Sequence, residues 1–248
     1  MIVMLVPVSS EVLHAEPSSQ VVTGTVIANR TVMLSTRIVG RITAVHADEG
    51  DRVSAGKVIV EIDDAELQAQ MRSAEAARER TQAELAHRTR IKTRLAKLAR
   101  KNATSEEAID EAEYAYQVAA ANLKAAEADI DAIRSSLAET RIKVPFDSVV
   151  IKKVAETGLV TKPGEPLYQV QDQSRLKFRA RVKERDLARI NVGDSTEVTI
   201  TALGDTPVNA KVISVIPSGD DRHTFIVELE LPDRPGLYPG MFGKAVFR

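Results

Sequence analysis

The sequence predicts a mixed α and β, multidomain chain. A long antiparallel α-helical coiled-coil hairpin is inserted in a split β-sandwich, and a small β-barrel follows. Three observations predict this. Two short strand motifs, residues 40–62 and 148–170, repeat with an offset of about 108 positions. The stretch between them, Asp64 to Glu139, holds no Gly and no Pro and is dominated by Ala, Glu, Arg, Leu and Gln. From Leu176 onward, short strand patterns alternate with turn residues.

Residues 1–19 read as a leader. The apolar run Ile2–Val8 is too short to span a bilayer and resembles the core of a secretory signal, with Ala15 as the cleavage point. The competing reading is a short N-terminal strand. No later apolar run approaches the ~20 residues of a membrane-spanning helix. Residues 20–34 alternate in polarity through Val22–Ile27 and Val32–Leu34. They predict an N-terminal strand joining the barrel.

Residues 35–63 and 140–172 predict the two sandwich halves. Superposing them puts Gly40 on Ser148, Ile42 on Val150, Gly50 on Gly158, Gly56 on Gly164, Ile59 on Leu167 and Ile62 on Val170. Each half reads as a strand, two glycine turns and another strand. Gly40, Gly50, Gly56, Gly158 and Gly164 are grouped as the turn glycines, supplying the positive φ that tight turns require. Each half leaves an apolar face uncovered, so the two should pack on each other.

Residues 64–139 predict the hairpin. Asp63 or Asp64 is the expected N-cap, and the first helix should run to about Arg100. Thr104 with Glu107 predicts a capping box for the second helix. In that helix Ile109, Ala112, Tyr116, Ala119, Leu123, Ala126, Ile130, Ile133 and Leu137 are spaced alternately three and four apart, the seam of a coiled coil. The first helix has a weaker seam of Leu67, Met71, Ala74, Leu85, Leu95 and Leu98, interrupted by Arg78, Thr81 and Arg88. Joined by a short break, the helices must be antiparallel, and at ~1.5 Å per residue they extend about 50 Å.

After Thr140 the helix ends and Pro145 prevents its return. Residues 173–248 predict the barrel: strands KFRARV, STEVTITA, NAKVISVI, TFIVELEL and MFGKAVF, with a short helix at Glu184–Ile190. Turn signals at Asn191–Asp194, Gly204–Asp205, Ser218–Asp220, Pro235–Gly236 and Pro239–Gly240 separate them. The strand at residues 21–27 should complete the barrel.

Composition excludes several classes. The 34 Lys and Arg nearly balance 35 Asp and Glu, which argues against a polyanion-binding surface over the whole chain, and so against a nucleic-acid partner. There is no Cys, which excludes disulfides, thiolate metal sites, a cysteine nucleophile and a lipid-modified N-terminal cysteine. His14, His46, His87 and His223 lack ligand spacing. The pairs Asp63–Asp64 and Asp220–Asp221 sit where a helix start and a turn want acids anyway. No phosphate-binding Gly loop and no catalytic constellation is present. The expectation is a chain with no cofactor, no metal and no enzymatic activity.

The nested order resembles the periplasmic adaptor proteins, or membrane fusion proteins, of bacterial tripartite efflux pumps. Val39–Gly40–Arg41–Ile42 and Glu49–Gly50–Asp51–Arg52–Val53–Ser54–Ala55–Gly56–Lys57 are similar to the leading half of that family's lipoyl-like domain. Thr140–Arg141–Ile142–Lys143–Val144–Pro145–Phe146–Asp147 is similar to its trailing half, except that the family usually has Gly where this chain has Ser148. Leu237–Tyr238–Pro239–Gly240–Met241–Phe242 is similar to the end of its barrel.

The resemblance extends to the hairpin tip. Adaptors that dock on TolC-type channels carry Arg, then Leu four positions on, then Ser seven beyond; Arg94, Leu98 and Ser105 fall at that spacing. Arg94 and Leu98 share a helix face. The bland alternative makes Leu98 seam core, Arg94 a solvated charge and Ser105 only a cap.

The resemblance implies an inner-membrane transporter and an outer-membrane channel as partners. It also implies a homo-oligomeric ring, commonly of six, in the periplasm, associated with the inner membrane through partners or an N-terminal segment. A resistance–nodulation–division (RND) transporter is favoured; an ATP-driven (ABC-type) exporter is the alternative. Many family members continue into a membrane-proximal domain. Only seven residues follow Met241, so the resemblance implies a minimal adaptor or a truncated one. A different class remains in view, a lipoyl or biotinyl carrier domain. Such domains present a lysine at the junction of their halves, and here Glu61–Ile62–Asp63–Asp64–Ala65–Glu66–Leu67 holds none.

Overall fold

The computed structural model describes residues 20–204, 206–220 and 223–247. The predicted leader of residues 1–19 lies outside the described residues, as do Asp205 and Asp221. The chain divides into two units, one of Val32–Val170, the other of the residues up to Thr31 together with those from Gln171 onward. Both boundaries fall inside continuous strands, β1 (Gln20–Ser35) and β8 (Pro166–Lys183).

In the Val32–Val170 unit the strands β2 (Gly40–Val45), β3 (Arg52–Val53) and β4 (Val58–Ile62) precede two long helices, α1 (Ala65–Ala99) and α2 (Glu106–Glu139). Strands β5 (Arg141–Lys143), β6 (Ser148–Lys153), β7 (Val160–Thr161) and the start of β8 follow. The two halves exchange strands: β2 pairs with β7 through Gly40↔Thr161, and β3 pairs with β6 through Val53↔Ser148. Turn bonds repeat at the same offset. The Gly56 amide donates to the Val144 carbonyl at 2.7 Å, and Gly164 to Thr36 at 2.8 Å. His46 donates to Ile59 at 2.9 Å, and Val154 to Leu167 at 2.9 Å.

The apolar faces meet in one core containing Ile42, Ile59, Val60, Val144, Val150, Leu167, Tyr168 and Val170. Burying an aliphatic side chain of this size stabilises by about 1.5–3 kcal/mol relative to leaving it in water. The Tyr168 hydroxyl is kept inside by donating to the Ala47 carbonyl at 2.5 Å. Burial, and then the nearby Asp48 and Asp51 charges, push its pKa up to about 12.

The other unit is the barrel. Its strands are β1, the later part of β8, β9 (Ser195–Ile200), β10 (Val208–Ile216), β11 (Thr224–Glu230) and β12 (Phe242–Phe247). The order is β1-β12-β9-β10-β11-β8, and a further pairing of β1 with β8 closes it. The strand at residues 21–27 is part of β1 and pairs with β12, from Gln20↔Phe247 to Thr25↔Phe242. The helix expected at Glu184–Ile190 is shorter: α3 spans Glu184–Leu187. It stops early because Ile190 is drawn into the barrel core.

Phe178 fills the barrel interior, fully buried. Gly24 and Gly243 are directly paired and make room for its ring. A Cβ on Gly24 would come within 2.7 Å of that ring and 2.4 Å of the Arg179 carbonyl oxygen. A Cβ on Gly243 would come within 2.5 Å of the Thr199 carbonyl oxygen. Asp172 is also buried, but fully bonded. It accepts from Asn29 Nδ2 at 2.8 Å, Arg30 Nη2 at 3.2 Å and Ser174 Oγ at 2.6 Å. Burial works to raise its pKa, and these bonds override it and hold the carboxyl at about 2.

Candidate functional site

The candidate site is the turn between α1 and α2. Asp64 is the N-cap residue of α1, although its side chain makes no cap bond; Asp63 Oδ1 instead accepts from the Ala65 amide at 3.1 Å. The helices pack on each other in antiparallel register, shown by the ion pairs Arg78–Glu127 at 3.9 Å and Lys92–Glu113 at 2.7 Å. Lys92 also lies 4.1 Å from the centroid of the Tyr116 ring. Hydrogen bonds from Lys92, and then from Gln117, hold the Glu113 carboxyl below the ordinary carboxylate range. Four α2 residues are buried, Ala112, Ala119, Ala126 and Ile130; no α1 residue is. Small Ala side chains let the helix backbones approach closely.

At the tip α1 ends in a Schellman turn. The Ala103 amide donates to the Leu98 carbonyl at 3.0 Å, and the Asn102 amide to that of Ala99 at 2.9 Å. Asn102 takes the left-handed conformation, with φ +54°. Asn accepts that region more readily than other non-glycine residues. α2 then starts from Ser105, whose side chain accepts from the Ala108 amide at 3.3 Å. The expected capping box of Thr104 and Glu107 is therefore displaced by one residue. The Schellman turn carries the chain through Ala103, and Ser105 is the residue whose extended backbone, φ −83° and ψ 158°, sets its oxygen over the helix start. The third residue of α2 is then Ala108, whose methyl group cannot complete a box.

Arg94 and Leu98 lie in the last turns of α1, one turn apart on one face, and both are exposed. Leu98 is 37% exposed and lies outside the α1 seam in which the spacing had placed it; Ala99 takes the half-buried place. Arg94 forms no ion pair or hydrogen bond through its side chain among the described residues. Ser105 is exposed at the opposite side of the turn. No hydrogen bond joins these three side chains among the described residues.

The glycines divide. Gly50, Gly56, Gly158 and Gly164 sit in turns, with φ of +93°, +79°, +92° and +84°. Gly40 does not sit in a turn. It opens strand β2, and a Cβ there would lie 2.4 Å from Ile62 Cγ2, so packing rather than φ requires glycine. Its counterpart Ser148 carries a Cβ without conflict, but its buried hydroxyl has no hydrogen-bond partner among the described residues. Sequence reasoning missed the Gly24–Gly243 pair, because glycines 219 positions apart give no local signal.

Comparison with known proteins follows the same division. Residues 30–172 match the CzcB-like barrel-sandwich hybrid domain family, and residues 178–248 match the CusB-like beta-barrel domain family. The chain belongs to the periplasmic adaptor, or membrane fusion protein, family. It is 27% identical over 227 residues to an uncharacterized protein of Haemophilus influenzae, covering 90% of this chain and 55% of that protein. It is 32% identical over 135 residues to the multidrug resistance protein MdtA of Yersinia enterocolitica, covering 54% of this chain and 30% of MdtA. The chain thus spans about half or less of the length of these relatives. Among solved structures it is similar to MacA of Actinobacillus actinomycetemcomitans, with a TM-score of 0.80 at 23% identity over 92% of this chain and 78% of MacA. That likeness is one of fold. No helix among the described residues is long and apolar enough to cross a membrane.

Proposed function

We propose that this adaptor is the periplasmic subunit of a tripartite efflux pump. It bridges an inner-membrane transporter to a TolC-type outer-membrane channel, with the α1–α2 hairpin as a coiled-coil rod and its tip as the docking point. The observation that carries this reading is Leu98: an apolar side chain left in solvent one turn beyond Arg94, which has no partner among the described residues. A seam would have buried Leu98, and the Schellman turn uses only its carbonyl. Leu98 offers an apolar knob, and the Arg94 guanidinium can fork to carbonyls or carboxylates on a facing hairpin. Ser105 caps α2 and keeps its hydroxyl at the surface.

The rod spans residues 64–139, the lipoyl-like sandwich residues 35–63 and 140–172, and the barrel residues 173–248 with the strand 20–34. Each tip contributes modestly, and a ring, probed first as a hexamer, multiplies weak contacts through avidity. The transporter of choice is RND, the class named in the matching barrel family. The name of the Yersinia relative makes drugs the first cargo to test. The subunit works in the periplasm at the inner membrane and catalyses no reaction; the transporter supplies the energy.

The test is a susceptibility assay in the native host combined with site-specific crosslinking to the channel. Arg94→Asp and Leu98→Ser should abolish efflux and crosslinking while leaving abundance intact, because exposed substitutions seldom cost much stability. Arg78→Glu, mid-hairpin, should retain both. Wild-type efflux and crosslinking in the two tip variants would return Arg94 and Leu98 to purely structural roles. Co-purification with an ATP-driven exporter would move the subunit to the ABC class.

A further inference from the structure

The barrel carries a row of cations that channel docking does not use. Residues 175–183 read Arg-Leu-Lys-Phe-Arg-Ala-Arg-Val-Lys. A strand turns alternate side chains to opposite faces. Phe178, Ala180 and Val182 enter the core with Leu176 packed beside them, and Arg175, Lys177, Arg179, Arg181 and Lys183 stand outward. At about 3.3 Å per residue the row is roughly 26 Å long.

Its compensation is partial. On β11, Glu228 binds Arg179 at 2.7 Å and Lys177 at 3.3 Å. These contacts hold the Glu228 carboxyl below its ordinary range against the opposing effect of burial. Arg181 and Lys183 stand opposite Ile226 and Thr224, and their side chains form no ion pair or hydrogen bond among the described residues. Like charges gathered on one face repel, so the arrangement is costly unless an anion meets it. The chain as a whole has a formal charge of −1, so an attraction to anions has to be local, as it can be at this row.

A second observation narrows the occupant. β8 neighbours β1, and β1 neighbours β12. On these strands and the loop entering β12, Val21, Tyr238 and Phe242 are more than half exposed. A convergent pocket would suit one small anion. A straight cation row beside exposed aromatic and aliphatic side chains suits an anionic surface with an apolar layer beneath it, which is a bilayer with anionic headgroups. We propose that the β8–β1–β12 face of the barrel docks on an anionic lipid surface. The free cations, Arg181 and Lys183 foremost, meet headgroup phosphates, and Tyr238 and Phe242 enter the interfacial layer.

The experiment is co-sedimentation of the 248-residue chain with vesicles containing phosphatidylglycerol and with pure phosphatidylcholine vesicles, at low and high salt. The wild-type chain should bind the phosphatidylglycerol vesicles, less so at high salt, and leave the neutral ones in suspension. The double variant Arg181→Ser, Lys183→Ser should lose roughly thirty-fold in partitioning, with its thermal melt unchanged. Phe242→Ser should bind more weakly with the same salt dependence. No wild-type binding, equal binding to neutral vesicles, or full binding by the double variant overturns the proposal. Binding to polyglutamate without binding to vesicles also overturns it, and assigns the row to an acidic protein partner. These outcomes are separate from the docking reading, because the tip crosslinks do not depend on the barrel face.

Discussion

Gly50 and Gly158 hold the same left-handed conformation, φ +93° and +92°, and reach into each other's half of the sandwich. The Gly50 amide donates to the Val150 carbonyl at 2.9 Å, and the Gly158 amide to the Ile42 carbonyl at 2.8 Å. The return bonds match as well: Val150 donates to Asp51 at 3.0 Å and Ile42 to Leu159 at 2.8 Å. One turn, used twice, ties the halves reciprocally across the inserted hairpin.

Substituting either glycine should therefore cost the same. A Cβ at Gly50 or Gly158 meets nothing within 4 Å, so the penalty is in the backbone alone. Gly50→Ala and Gly158→Ala should each destabilise by about 1–2 kcal/mol, measured by urea unfolding. Gly40→Ala should act by a different route, the collision with Ile62, at about 1–3 kcal/mol. A large inequality between the first two would show that the halves are not equivalent in energy.

Ser148 stands where its partner half has Gly40. Ser148→Ala removes a buried hydroxyl that has no partner among the described residues and keeps the Cβ the site already accepts. The variant should be at least as stable as wild type, with a gain of up to about 1 kcal/mol, read as a rise in melting temperature. A clear loss would mean that the hydroxyl is bonded in solution.

Tyr168 makes alkaline stability pH-dependent. Its folded pKa, about 12, lies above the ordinary tyrosine value of 10.0. Its contribution is complete below pH ~10. As pH rises toward 12 the unfolded chain sheds the proton first, and the contribution is lost. Unfolding free energy should fall across that window in wild type and fall less in Tyr168→Phe. That variant should also be destabilised at neutral pH by about 1 kcal/mol for the lost bond to Ala47.

Asn102 tests the tip turn apart from docking. Asn102→Gly should keep or slightly raise hairpin stability, because glycine accepts φ +54° freely. Asn102→Val should cost about 1–2 kcal/mol, because a β-branched residue resists the left-handed region. Thermal unfolding followed by helical circular dichroism reads both. Equal stability of the two variants would show that the turn opens in solution.

The sequence by itself determined the pattern of alternation and repetition. The three–four spacing from Ile109 to Leu137 marks the residues α2 turns toward α1, because a helix brings those positions to one face. The offset that superposes Gly50 on Gly158 exposed the duplicated turn, because only glycine takes that conformation freely. The alternating cations of residues 175–183 were legible too, yet overall charge balance concealed them.

Tertiary structure decided what depends on distant partners. Gly24, Gly243 and Phe178 become one packing unit only when β1, β12 and β8 close the barrel. Gly40 needs its missing Cβ because Ile62 arrives from another strand, a contact that no local pattern encodes. Leu98 is exposed while Ala99 is half-buried, because α1 turns Leu85, Arg88, Lys92 and Leu95 toward α2 and the next residue on that line is Ala99. Periodicity follows from the geometry of one element, so it can be read along the chain. Space, closure and exposure come from elements meeting, so only the folded chain shows them.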